Sequence, residues 1–487
     1  MQYISTRDKL LSSGSNSLIW GIGADGGLYV PENIPQFSIE EINKLTKLSY
    51  PEKAAQIISA YLPEYSKEEL ESYASLAYAR QRFAKGVAPV RKLDENLAIL
   101  ELFHGPTCAF KDFALQMLPL LLAAALNKNS DKRIPLILAA TSGDTGKAAL
   151  EGFSNEEKSK ICVFYPEGGV SEMQKKQMAT QDGENVNVFS ITGNFDDAQR
   201  GVKNLFADEE FLSRLNAGGY FVTSANSINW GRLVSQIVYY FSAYCDMVNM
   251  GMLKMGEGLN IVVPTGNFGN ILAGYIAKIS GLPIEKIVCA SNSNNVLTEF
   301  INTGIYDSNR QFFKTISPSM DILISSNLER LLFLLGGSTK TLMEQLKATG
   351  RYQVSGEVFD KIGEHFKAGF ATDEESFETI REVHTEFGYL IDPHTAVGLK
   401  VFYESKLEGK SIVVSTASPY KFAPDVLKAL GSEEPDGFAA IEKLENITGV
   451  SAPLSLTDLK NKKERFTKVI GKDSEDMKKA ILEWLQL

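Results

Sequence analysis

The stretch NIVVPTGNFGNILAGYIAKIS, residues 260–280, reads as a strand, a glycine turn and an apolar helix. Its opening run is apolar without alternation, as expected of a strand covered on both faces. Gly266, Asn267, Phe268, Gly269 and Asn270 form the turn, and the helix runs from Asn270 to Ser280. A helix start behind such a turn offers free N–H groups and the positive end of the helix dipole. Both favour an anion such as a phosphate, with no lysine required. A plain turn with glycines for tight geometry explains the same residues equally well.

The same unit recurs along the chain. AILELF (98–103), IPLILAA (134–140), ICVFYP (161–166), VNVFSITG (186–193), YFVTS (220–224), KIVCAS (286–291) and SIVVST (411–416) read as strands, each followed by a helical run. This alternation predicts βαβ units and mainly parallel sheets. The first ninety or so residues read as mostly helical. Ser38 is an N-cap with Glu41 three residues on, Pro51 opens a second helix, and Ser66–Arg82 fits a third. DGGLYVPENIP (25–35) is a short strand between turn signals. Pro89–Asn96, Met250–Gly258 and Asn302–Pro318 are candidate hinges, and one late strand is expected near Phe466–Ile470.

Several classes are disfavoured. The 487 residues include 50 Lys+Arg against 60 Asp+Glu, a net charge of −10, which lacks the basic footprint of a nucleic-acid binder. The longest apolar run, Met117–Leu126, is broken by Pro119 and is half the roughly 20 residues a membrane span needs. MQYISTRDKLLSSGSN at the start has neither a signal-peptide nor a transit-peptide pattern, so a cytoplasmic protein is expected. Cys108, Cys162, Cys245 and Cys289 form no CxxC and read as reduced core thiols. His104, His365, His384 and His394 form no HExxH, and no metal is expected. Gly21-Ile-Gly23-Ala-Asp-Gly26 matches a dinucleotide fingerprint but leads into Gly27-Leu-Tyr-Val-Pro31, which is no helix. Thr141–Ala148 resembles a P-loop but lacks its first glycine and its magnesium-binding hydroxyl.

TSGDTG (141–146) follows a strand, where open α/β sheets bind ligands. Ser142, Asp144 and Thr145 either cap the next helix or face a ligand. Lys111, in FHGPTCAFKDFALQ (103–116), lies in the first turn of a helix between Phe110 and Phe113. A helix N-terminus disfavours a cation, and apolar neighbours desolvate it. Both favour the neutral amine that forms a Schiff base. The alternative is a surface lysine paired with Asp112. A destabilised lysine, two anion-binding turns and parallel sheets together point to a pyridoxal-phosphate enzyme.

HGPTCAFKDF (104–113), ATSGDTG (140–146), SANSINWGR (224–232) and PTGNFGN (264–270), in this order, resemble the threonine synthase family of fold type II pyridoxal-phosphate enzymes. STRD (5–8), DGGLYVPE (25–32) and STASPYKF (415–422) match it too, so the resemblance spans about Tyr3 to Phe422. It implies a tryptophan-synthase-β-like α/β fold. Two open, mainly parallel twisted sheets would follow a mostly helical segment, 1–93. A larger cofactor-binding unit would comprise 94–133 and 250–487, and a smaller one 134–249. Lys111 would carry pyridoxal 5'-phosphate, and Gly266, Asn267, Phe268, Gly269 and Asn270 would hold its phosphate. Thr416 would bond the pyridine nitrogen. Ser142, Asp144 and Thr145 would lie near the substrate carboxylate and ring hydroxyl. Ser224, Asn226 and Arg232 would receive the substrate phosphate. Ser418 and Tyr420 depart from the His and Ala of many members, which affects substrate-side details. The implied reaction converts O-phospho-L-homoserine and water to L-threonine and phosphate. Alternatives are a phospholyase releasing 2-oxobutyrate, ammonia and phosphate, and a non-catalytic sensor of amino-acid phosphates.

Overall fold

Parallel pairing gathers the buried strands into two sheets. The computed structural model describes every residue except 84, 142, 433, 434 and 436. A six-stranded sheet runs in the order Phe366–Phe370, Ile284–Ser291, Leu259–Pro264, Lys410–Ser415, Leu97–Glu101, Val90–Lys92. All its neighbours are parallel except Val90–Lys92, which pairs antiparallel with Leu97–Glu101. A five-stranded, all-parallel sheet runs Val469–Ile470, Val186–Ile191, Lys160–Pro166, Ile134–Ala140, Tyr220–Thr223. The central strand Leu259–Pro264 is buried at every position. Cover on both faces explains its unbroken apolar run. The expected α/β class, with two open and mainly parallel sheets, is the one formed.

Helices Ile39–Leu45, Tyr50–Tyr61 and Lys67–Ala77 occupy the N-terminal segment. Ser38 and Ser66 start two of them with reciprocal capping boxes to Glu41 and Glu69. The third helix stops at Ala77, short of the expected Arg82, where Tyr78 caps it. Where one strand was expected, a three-stranded antiparallel sheet stands, Leu11–Ser13, Gln2–Ser5 and Tyr29–Pro31. The two missed strands, of three and four residues, are too short to show a period.

Two further differences concern the large sheet and the chain end. The edge strand Phe366–Phe370 was not anticipated, because FKAGF has no β-branched residue and is partly exposed. Val469–Ile470 pairs with Val186–Ile191, and helix Ser474–Leu485 packs on helix Phe195–Ala207. The chain end therefore joins the five-stranded sheet, not the larger unit to which 250–487 was assigned. The strand falls within the expected Phe466–Ile470, but nothing in it marks its partner, and apolar burial of Met477, Ile481 and Leu485 holds the tail in place. The polar stretch Asn302–Pro318 contains a short strand, Ile305–Asp307, paired with Arg351–Gln353, and then leads to Ser319.

Helix Trp230–Asn249 is buried along most of its length. It packs against Lys111–Lys128, Gly269–Ile279 and Tyr50–Tyr61. The N-terminal segment clasps the same core. Tyr78 donates its hydroxyl to the Phe113 carbonyl at 3.0 Å, and Tyr65 to the Leu121 carbonyl at 3.0 Å. No helix among the described residues is long and apolar enough to cross a membrane.

Candidate functional site

The site is built where parallel strands end, the usual place for ligands in open α/β sheets. Leu97–Glu101 leads to Lys111, the first residue of helix Lys111–Lys128. Lys410–Ser415 leads to Thr416. The Phe110 N–H donates to the Thr416 carbonyl at 2.9 Å, and Ala109 bridges Ala417. Lys111 and Thr416 are thus held in one register, and both are buried.

The Lys111 ammonium or amine lies 4.8 Å from the Phe110 ring centroid, 3.4 Å from Ser319 Oγ and 3.7 Å from Asp144 Oδ2. Burial lowers the Lys111 pKa to about 8, helped by the charges of Lys421 and Arg232 and opposed by Asp144 and Asp112. The alternative of a surface lysine paired with Asp112 is not realised. Asp112 turns to Thr107, accepting its N–H at 2.9 Å and its hydroxyl at 2.7 Å. Burial pushes the Asp112 carboxyl up to about 6, against those two bonds and the charge of Lys421.

Ile134–Ala140 leads to Asp144, the first residue of helix Asp144–Phe153. Burial opposes ionisation of Asp144, yet Lys421 and Lys111 hold it well below the usual carboxylate range. Lys421 bonds Asp144 Oδ1 directly and donates to the Thr107 carbonyl at 3.1 Å. Gln174 Nε2 reaches the same Oδ1 at 3.1 Å. Thr145 is half-buried beside Asp144. Ser142 lies outside the described residues.

Leu259–Pro264 leads to the turn Gly266–Asn270. A Cβ on Gly266 would lie 2.6 Å from the Ser319 carbonyl, so glycine admits that close approach. Phe268 takes a left-handed φ of 60°, uncommon for a bulky residue, immediately before helix Gly269–Ile279. The first-turn N–H groups of that helix have no intrahelical acceptor. Asn270 Oδ1 accepts from Tyr240 at 2.7 Å and also from Tyr239, while its buried Nδ2 has no partner among the described residues.

Ser224, Asn226 and Arg232 meet in one loop and the helix after it. Ser224 Oγ accepts the Asn226 N–H at 3.1 Å, and Arg232 Nη1 donates to the Ala225 carbonyl at 2.7 Å. Asn226 is exposed, whereas Arg232 is buried. Burial lowers the Arg232 guanidinium to about 10, and its Nε lacks a partner among the described residues. Asn327 ties this loop to the glycine turn. It donates its N–H and Nδ2 to the Asn267 carbonyl at 3.1 and 3.0 Å, and Nδ2 to Ser227 Oγ at 3.3 Å. Fully buried Arg330 bonds Asn327 Oδ1 and the Ile228 carbonyl from below.

Ser418 and Tyr420 are taken up in packing. Ser418 N–H donates to the Cys108 carbonyl at 3.1 Å, its Oγ accepts the Tyr420 N–H at 3.4 Å, and the Tyr420 hydroxyl bonds the Val450 carbonyl. Sequence reasoning missed Ser319, Lys421, Gln174, Asn327 and the Asp392–His394 pair. The Ser319 N–H donates to His394 Nε2 at 3.2 Å. His394 Nδ1 therefore carries the proton shared with Asp392 Oδ2 at 2.6 Å. Only Lys421 had a visible signal, as part of STASPYKF.

This donor set fits a group bearing a phosphate and an electrophilic carbonyl. Lys111 is buried without a tight ion pair and suits the carbonyl. The first-turn N–H groups and the orphaned Asn270 Nδ2 suit the phosphate.

Comparison with known proteins agrees with that chemistry. Residues 84–418 match the family model described as pyridoxal-phosphate dependent enzyme. Residues 2–78 match threonine synthase N terminus, and 395–481 match threonine synthase, C-terminal. The chain is 39% identical over 483 residues to a threonine synthase of Pseudomonas aeruginosa, covering 96% of this chain and 95% of that one. It superposes on the pyridoxal-phosphate-bound crystal structure of threonine synthase from Brucella melitensis with a TM-score of 0.89 and 38% identity, covering 100% of both chains. The threonine synthase structure from yeast gives a TM-score of 0.89 at 35% identity, covering 100% of this chain and 99% of that one.

Proposed function

The chain belongs to the threonine synthase family of pyridoxal-phosphate-dependent enzymes, and from that premise we propose how its residues turn O-phospho-L-homoserine and water into L-threonine and inorganic phosphate. The observation that carries the reading is Lys111, buried at a strand end with its amine near 8 and no tight ion pair.

Bound pyridoxal 5'-phosphate supplies the electron sink that makes the substrate's Cα hydrogen acidic. Lys111 Nζ holds the cofactor at rest and, once freed, takes and returns protons, for which a pKa near the working pH is suited. Gly266, Asn267, Phe268, Gly269 and Asn270 hold the cofactor phosphate. Thr416 offers the pyridine nitrogen a neutral hydroxyl. Ser142, Asp144 and Thr145 line the side of the substrate carboxylate and ring hydroxyl. Ser224, Asn226 and Arg232 receive the substrate phosphate, a reading supported by the unpaired Arg232 Nε. Loss of protons from Cα and Cβ lets the Cγ–O bond break and release phosphate. A proton returns to Cγ, water then adds its oxygen to Cβ and gives up one proton, which balances on the phosphate, and a proton returns to Cα.

Two units flank the reacting group in this reading: 94–133 with most of 250–487, and 134–249 with the chain end. Four buried, unpaired cysteines and a net charge of −10 support a cytoplasmic enzyme that acts on a small molecule and not on nucleic acid.

The test is to incubate the purified chain and Lys111→Ala with O-phospho-L-homoserine and quantify threonine, 2-oxobutyrate and phosphate. Equimolar threonine and phosphate from the parent, and neither from the variant, is the expected result. Phosphate with 2-oxobutyrate would establish a phospholyase instead. No phosphate from the parent would overturn both readings.

A further inference from the structure

Three parts of the chain bring ionisable side chains together at this site. Lys111 and Asp144 each open a helix, and Lys421 lies in the 3-10 turn Pro419–Phe422. Asp144 divides its oxygens between them. Oδ1 accepts from Lys421 and Gln174, whereas Oδ2 faces Lys111 Nζ at 3.7 Å and the Ser319 hydroxyl at 3.5 Å. The Lys421 side chain is 0% exposed and that of Asp144 3%. A lone carboxylate this close to an amine, out of water, would capture it as a lasting ion pair. Lys421 cancels that charge from the far side of the carboxylate. Among the described residues, Arg232, of the same sign as Lys421, and Asp112, which is occupied by Thr107, also act on Lys111.

We propose that Lys421 is a positioning residue whose pairing with Asp144 leaves the Lys111 amine free to lose and regain a proton. The inference rests on Lys111 being the cofactor lysine. It also explains how an acidic residue is accommodated beside an anionic substrate, because the pair as a whole is neutral.

Lys421→Met, Asp144→Asn, the double variant and Lys421→Arg test it. The first readout is the pH at which Lys111 becomes half-reactive. It is followed by competitive acetylation of the full chain without cofactor and mass spectrometry of the peptide containing Lys111. The second is the pH profile of kcat for the holoenzyme. Lys421→Met should raise the midpoint by about one pH unit or more, because the carboxylate then faces Lys111 alone. Asp144→Asn should lower it, and the double variant should return toward the parent. Lys421→Arg should stay near the parent. A single variant with an unpaired buried charge risks misfolding. The double variant and Lys421→Arg carry no such charge, and a double-variant midpoint far from the parent would overturn the proposal. So would an unshifted midpoint in Lys421→Met, or shifts of the same sign in both single variants. If Lys111→Ala kept its turnover, the lysine assignment would fail, which is a separate result.

Discussion

Asp112 is the neighbour of Lys111 in the chain, yet it serves a different purpose. Its carboxylate fixes the Thr107 turn, at the cost of burial that pushes its pKa from 3.8 up to about 6. The unfolded carboxyl keeps the ordinary value, so the folded chain holds the extra proton between those two pH values. Stability from this group is therefore complete below about pH 4 and lost as pH rises through 6. Denaturant unfolding from pH 4 to 7 should show the parent losing up to about 3 kcal/mol relative to Asp112→Asn. Parallel curves for the two proteins would contradict this. At this scale, Lys111 was legible because its signals are local: a helix start and two flanking phenylalanines. Ser319 was not, and Lys421 stood in STASPYKF with no sign of its partner. Ser319 lies 208 positions from Lys111, and Lys421 lies 277 from Asp144, so only tertiary contact brings them together. The buried His394–Asp392 pair carries no motif either; its proximity to Ser319 comes from the fold.

Helix Asp144–Phe153 packs on helix Lys111–Lys128, and their first residues, Asp144 and Lys111, stand 3.7 Å apart at Oδ2 and Nζ. A Cβ on Gly152 would fall 1.8 Å from the Leu115 carbonyl oxygen, a backbone atom with nowhere to move. Gly152→Ala should therefore lower stability by about 2–3 kcal/mol, and it should also move Asp144 away from Lys111. The check is thermal unfolding together with the kcat of the folded variant. A stable variant with parental kcat would refute the idea that this helix contact positions Asp144. Elements of this kind were legible where they are long and apolar, as in IPLILAA and NIVVPT. The capping box at Ser38 follows from Glu41 three residues on and could be read directly. FKAGF could not be read, because an edge strand needs neither β-branching nor full burial. The two short N-terminal strands depend on partners elsewhere in the segment and not on their own composition.

The whole molecule places two mainly parallel sheets so that loops from both gather around Lys111, the glycine turn through its approach to Ser319. Leu97–Glu101, Leu259–Pro264 and Lys410–Ser415 come from one sheet, and Ile134–Ala140 from the other. The alternating pattern made that class legible. The return of the chain end to the five-stranded sheet was not, because the strand expected near Phe466–Ile470 carries no mark of the partner it chooses. The central claim is that this site breaks the substrate's Cγ–O bond and hydroxylates Cβ with water. It is tested most directly by running the reaction in 18O-labelled water and weighing both products at early times. The account expects one 18O in each threonine, on its hydroxyl, and none in the released phosphate. Label in the phosphate with homoserine as the co-product would mean P–O cleavage, and would contradict the account.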